Sequence, residues 1–190
     1  MKQKLTLLIL LISSFINAQD ILWEKTYGGK HADYLMDAQA TADYGYILAG
    51  SSLSVKSGNK TQDNHGDLDY WVWKMKENGD LDWQKNVGGS GSDFLQSIAL
   101  TNDGGFILGG TSNSEIGFDK TDASRGNDDF WIVKLDAKGN MEWQKTIGGS
   151  SQEKLQSIHQ TRDGSYIIGG SSSSDISGEK TTDSFGSLDY

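Results

Sequence analysis

Trp83-Gln84-Lys85-Asn86-Val87-Gly88-Gly89 decides the fold, because the same pattern returns twice in the chain. Trp23-Glu24-Lys25-Thr26-Tyr27-Gly28-Gly29 stands sixty residues upstream, and Trp143-Gln144-Lys145-Thr146-Ile147-Gly148-Gly149 sixty residues downstream. Copies in strict register, without insertion or deletion, mark an internal repeat, and a repeat governs every later inference about architecture.

Between one Gly-Gly and the next, the pattern is that of short strands. Asp93 to Thr101 alternates roughly, with Phe94, Leu95, Ile98 and Leu100 apolar. Asn102-Asp103-Gly104 then signals a hairpin, since Asp-Gly accepts the positive φ of a tight primed turn. Gly105 to Gly110 is a short apolar second strand. A long polar connection from Thr111 to Asp128 leads to Phe130-Trp131-Ile132-Val133-Lys134-Leu135, rich in β-forming residues. The turn Ala137-Lys138-Gly139-Asn140 and the strand Met141 to Ile147 close the unit. The other copies follow suit. Asp43, Asp103 and Asp163 share the first turn, and Lys60-Thr61, Lys120-Thr121 and Lys180-Thr181 share the long loop. Asp69, Asp129 and Asp189 precede an aromatic. No window of ten or more residues holds a helical i, i+3, i+4 apolar pattern.

The expected count is one strand at Trp23–Tyr27, four from each of two complete units, and two from the last, in which Tyr190 leads towards a third strand. Four antiparallel strands per period, joined by hairpins, predict an all-β fold. They point to a partial β-propeller of four-stranded antiparallel blades rather than a solenoid, whose parallel coils do not alternate with Asp-Gly hairpins. A closed ring needs about sixteen strands. Further blades beyond Tyr190, or a partner copy, are therefore expected to complete it, because an open stack would expose an edge and an apolar face.

The aromatic-Ile-Ile/Leu-Gly-Gly, Asp-aromatic-Trp and Trp-x-Lys elements resemble Kelch or galactose-oxidase-type blades. They are still more similar to the secreted repeat propellers common in Bacteroidetes, whose repeats read Trp-x-Lys-x-x-Gly-Gly and Thr-x-Asp-Gly-Gly-Tyr-Ile. The sixty-residue period departs from the Kelch period of about 50. The resemblance implies export and a surface role.

Residues 1–18 fit a cleaved secretory signal: Lys2 and Lys4, an apolar run from Leu5 to Ile12, and small residues ending at Ala18. The apolar run falls short of the roughly 20 residues a span needs. The repeat domain is then Gln19 to Tyr190, and a secreted or outer-cell-surface location is expected, with no membrane insertion after cleavage. The formal net charge of the whole chain is −9, from 17 Lys and Arg against 26 Asp and Glu. That balance disfavours nucleic acid and anionic membrane surfaces as partners. With no cysteine, no disulfide framework exists.

No residue is singled out as catalytic or as a metal ligand, and no cofactor is expected. Trp23, Trp83 and Trp143 suit either sugar stacking or packing between blades, and their fixed place in the repeat favours packing. Asp69, Asp129 and Asp189 suit caps that accept backbone N–H groups in the long loops. Asp63-Asn64-His65-Gly66-Asp67-Leu68-Asp69 has calcium-like spacing, but Ala123 replaces Asp63 in the next copy and no bidentate Glu follows. Thr101-Asn102-Asp103-Gly104-Gly105-Phe106 resembles a sialidase-type Asp-box without its closing Thr-Trp. His31, His65 and His159 occupy non-equivalent places, and no nucleophile elbow, His-Glu-x-x-His or phosphate loop is present. The reading is a secreted or surface binding or scaffold module for a glycan or protein ligand. The competing reading is a segment of a carbohydrate-active enzyme using paired carboxylates.

Overall fold

The computed structural model describes Ile21 and residues 23–190; the expected signal at 1–18 lies outside the described residues. Ten strands and no helix are present among them. The first sheet is β1 (Asp33–Ala40), β2 (Tyr46–Ser52), β3 (Asp69–Met75) and β4 (Leu81–Val87). The second is β5 (Asp93–Leu100), β6 (Phe106–Ser112), β7 (Asp129–Leu135) and β8 (Met141–Ile147). The third holds β9 (Glu153–Gln160) and β10 (Tyr166–Ser172). Each sheet is an antiparallel meander in chain order.

The register repeats with the sequence. Every first strand carries a bulge, at Met36, Gln96 and Gln156, and every complete fourth strand carries one opposite the end of the third. The sheets stack face to face. β5 lies against β1, β2 and β3, and β9 against β5, β6 and β7. Ile47, Tyr70 and Val72 of the first sheet meet Leu95, Leu108 and Val133 of the second in one buried cluster. Ile107 and Ile132 meet Leu155 and Ile158 in the next. Neither face of a sheet this small is shielded from water alone, so stacking supplies the core. Tyr70 crosses the first junction and donates its hydroxyl to the Trp131 carbonyl at 3.0 Å.

Two expectations are corrected. Trp23–Tyr27 is not a strand, because no third strand lies beside it to take its backbone hydrogen bonds. It is held by side chains against the first sheet instead. Lys25 pairs with Asp80 at 2.8 Å, the Tyr27 hydroxyl donates to the Gly79 carbonyl at 2.7 Å, and Trp23 meets Tyr46 edge-on at 5.9 Å. The Asp-Gly hairpins are also not primed two-residue turns. Thr101 N–H donates to the Gly105 carbonyl, Gly104 N–H donates to the Thr101 carbonyl, and only Gly104 has positive φ, at 83°. That is a type I turn followed by one left-handed residue. In the first unit this place is filled by Tyr44, with φ 63°.

Candidate functional site

The long loops between second and third strands all emerge at one edge of the stack. Each contains a two-residue reversal, in which Ser57 and Lys60 exchange backbone hydrogen bonds at 3.1 and 2.9 Å. Its first central residue has positive φ in every copy: Gly58 at 56°, Phe118 at 53° and Gly178 at 58°. This is the signature of a type II′ turn, for which glycine is the usual choice.

The reversal points its lysine inward. Lys60 is 2% exposed and Lys120 1%. A buried ammonium is costly unless all its donors are met. Lys60 Nζ donates to Gln62 O, Asn64 Oδ1 and Asn86 Oδ1 at 2.9, 2.8 and 2.7 Å. Lys120 Nζ donates to Ser112 Oγ, Ser114 O and Ser124 Oγ at 2.8, 2.9 and 2.9 Å, and lies 5.8 Å from the Trp131 ring centre. Burial pushes both lysines below their ordinary pKa, with neighbouring carboxylates opposing the shift. The ammonium groups act as cross-links that stiffen the loops.

Carboxylates, buried at Asp69, Asp93, Asp129 and Glu153 and half-buried at Asp33 and Asp189, do the complementary work. Asp69 accepts the His65 N–H at 2.6 Å and Asn86 Nδ2 at 2.6 Å; Asp129 accepts the Arg125 N–H, and Asp189 the Phe185 N–H at 2.6 Å. A second carboxylate, at Asp33, Asp93 or Glu153, receives the N–H of Gly29, Gly89 or Gly149, each at 2.7 Å. The Gly-Gly pair is required by closeness. A Cβ on Gly88 would sit 2.2 Å from Asp69 Cγ, and one on Gly89 2.4 Å from Ser114 Cβ. Burial raises the Asp93 pKa. Burial and the adjacent Glu153 raise that of Asp129, whereas N–H and hydroxyl donors hold Glu153 ionised against its own burial.

Adjacent loops interlock. Asn59, Asp119 and Glu179 donate N–H groups to the Gly28, Gly88 and Gly148 carbonyls at 2.9, 3.2 and 3.1 Å. His65 stacks on Phe118, with ring centres 4.7 Å apart, and its Nδ1 lies 3.2 Å from Asp119 Oδ2. One junction further, Arg125 pairs with Glu179 at 2.6 Å. Val55, Ile116 and Ile176 are exposed along the same edge, as is the face of Phe118 turned away from His65.

The tryptophans pack between units. Trp83 meets Phe106 edge-on at 5.8 Å and Trp143 meets Tyr166 at 5.6 Å, repeating the Trp23–Tyr46 contact. The intervening Gln84 and Gln144 accept the indole N–H groups of Trp71 and Trp131 at 3.1 and 2.8 Å. The calcium-like loop spends its oxygens internally: Asp63 accepts the Lys56 N–H, while the Asn64 side chain bonds Lys60, Ser52 O and Asp67 O. Among the described residues no three His, Asp or Glu side chains converge to hold a metal. The Asp-box-like stretch is a turn brace, in which Asp103 accepts the Thr101 hydroxyl and the Gly105 N–H at 2.5 and 2.9 Å. His31 sits before β1, His65 in a long loop and His159 on β9. Sequence reasoning passed over Ser52-x-Ser54, Ser112-x-Ser114 and Ser172-x-Ser174, whose hydroxyls complete the buried networks. Their period of sixty was the available signal.

Fold and loops together define an all-β repeat protein of stacked antiparallel sheets, two of them four-stranded, with buried polar residues of the long loops committed to bracing. No family model matches the chain. It is similar to the regulatory protein FlaEY of Caulobacter vibrioides, at 26% identity over 152 residues; this stretch is 76% of the chain and 16% of that protein, so the chain spans a small part of its relative's length.

Proposed function

We propose that the chain is a propeller-type binding or scaffold module of a secreted or cell-surface protein, whose ligand-facing surface is the long-loop edge. The observation that carries this reading is the contrast within the loops. Lys60, Lys120, Asp69 and Asp129 are buried and hydrogen-bonded, whereas Val55, Ile116, Phe118 and Ile176 present apolar surface to water. Apolar side chains held exposed on braced loops are the usual form of a recognition surface. The propeller assignment draws on the sequential meander of each sheet and the face-to-face stacking of successive units. The secreted location draws on the leader-like residues 1–18. The similarity to a protein named as regulatory is compatible with a binding role.

The ligand is a glycan or a protein. The test is a glycan array and a panel of surface polysaccharides, assayed for binding and for turnover with the whole chain. Binding without turnover, weakened about tenfold or more by the pair Ile116→Ser and Phe118→Ser, is the expected result. That loss equals about 1.4 kcal/mol. Turnover abolished by a single Asp or Glu substitution would establish the carbohydrate-active alternative instead. Binding that ignores the loop-edge pair would refute the assigned surface.

A further inference from the structure

The two internal junctions obey one rule, and the outer faces of the stack carry its unmatched halves. At the first junction the Leu95 N–H donates to Ser51 Oγ at 2.8 Å and the Ile98 N–H to Asp37 Oδ2 at 3.0 Å. At the second, the Leu155 N–H donates to Thr111 Oγ1 at 3.2 Å and the Ile158 N–H to Ser97 Oγ at 3.4 Å. These donors flank the bulges at Gln96 and Gln156, where the ladder is interrupted. The acceptors occupy the same two places in the preceding sheet each time.

On the first sheet the matching donors are Leu35 and Ala38, beside the bulge at Met36, and the Ala38 N–H donates to the carboxylate of its neighbour Asp37 at 2.8 Å. On the third sheet the matching acceptors are Ser171 and Ser157, which make no hydrogen bond through their hydroxyls among the described residues. The apolar positions tell the same story. Leu35 is 63% exposed, where its counterparts Leu95 and Leu155 are buried. Ile167 is 62% exposed, where Ile47 and Ile107 are buried. Beside Leu35 a cleft of about 380 Å³, lined by Tyr34, Leu48, Trp71 and Trp73 and walled on one side by the chain's own Trp23 and Tyr27, lies where the first strands of a preceding sheet would pack.

We infer that the open face of the first sheet docks the outer face of the third sheet of a second copy. Among the described residues the two faces are separated by the intact second sheet. Between copies they extend an interface the protein already makes twice. Leu35 and Ala38 N–H groups find the partner's Ser171 and Ser157 hydroxyls, and the partner's Ile167 packs over Leu35. The contact is heterologous, so it either closes a ring or continues as a filament. It rests on the junction rule and not on the loop-edge binding reading. A chain that stays monomeric sinks this inference and leaves that reading intact.

Sedimentation analysis of the whole chain and two variants provides the test. The unaltered chain is expected to associate with rising concentration. Leu35→Asp and Ile167→Asp, both at exposed positions and checked for native near-ultraviolet circular dichroism, are each expected to weaken association about 100-fold, because a carboxylate is forced into an apolar contact. Mixed in equal amounts, the two variants are expected to form a one-to-one dimer and nothing larger, since each retains the face the other lacks. An unaltered chain that remains monomeric, association that ignores both substitutions, or a mixture that stays monomeric would each overturn the proposal.

Discussion

Leu95→Ala and Leu35→Ala test the stacking argument with the molecule as its own control. The two leucines occupy the same repeat position beside the same bulge, and differ in what lies over them. Leu95 is 0% exposed within the cluster joining the first two sheets, whereas Leu35 faces open space. Truncating a fully buried leucine forfeits its transfer free energy and leaves a cavity, at about 3–5 kcal/mol in rigid surroundings. Leu95 is held between its own four-stranded sheet and the four-stranded first sheet, so a cost of about 3–4 kcal/mol is expected. That is a large share of a typical stability of about 5–15 kcal/mol. Leu35→Ala removes surface already in water and should stay within about 0.5 kcal/mol. Urea unfolding followed by tryptophan fluorescence, at protein concentrations too dilute for association, reports both. With a slope of about 2 kcal/mol per molar, Leu95→Ala should lower the midpoint by about 1.5–2 M. Equal effects at the two positions, or a Leu95→Ala cost below about 1 kcal/mol, would refute the claim that stacking supplies the core.

Tyr44→Gly should stabilise the protein. It relieves about 1–2 kcal/mol of left-handed backbone strain against about 0.4–1 kcal/mol of added freedom in the unfolded chain, giving a melting temperature about 2 °C higher; a lower one would show that the exposed ring makes a contact of value. Acid should weaken the fold through the first-turn carboxylates. The Lys74 ammonium and the Thr41 hydroxyl hold Asp43 down at about 2, and the Thr101 hydroxyl, Gly105 N–H and Lys134 hold Asp103 well below the usual range. A depressed carboxylate stabilises the folded state above its unfolded pKa, and that contribution disappears as pH falls from about 4 towards 2. Urea midpoints taken from about pH 5 to about pH 2 should therefore decline, and decline less in the double variant Asp43→Asn and Asp103→Asn. An unchanged slope would place the acid sensitivity outside the first-turn carboxylates.

Local chemistry made much of this protein legible before any coordinates. The sixty-residue period, strand boundaries within a residue or two, the hairpin positions and the capping role expected of Asp69 and Asp129 all follow from patterns carried by neighbouring residues. Turn chemistry and β-preference act over a few residues, and a repeat shows them several times. The buried state of Lys60 and Lys120 was hidden, because a lysine in a polar loop ordinarily faces water, and only the acceptors from Asn86 or from Ser112 and Ser114 reverse that. The Trp23–Tyr27 segment misled because its pattern is that of a strand, yet a strand exists only when another lies alongside. Leu35 and Leu95 are indistinguishable by position and type. One is buried and the other is not because burial belongs to the sheet that arrives from sixty residues away.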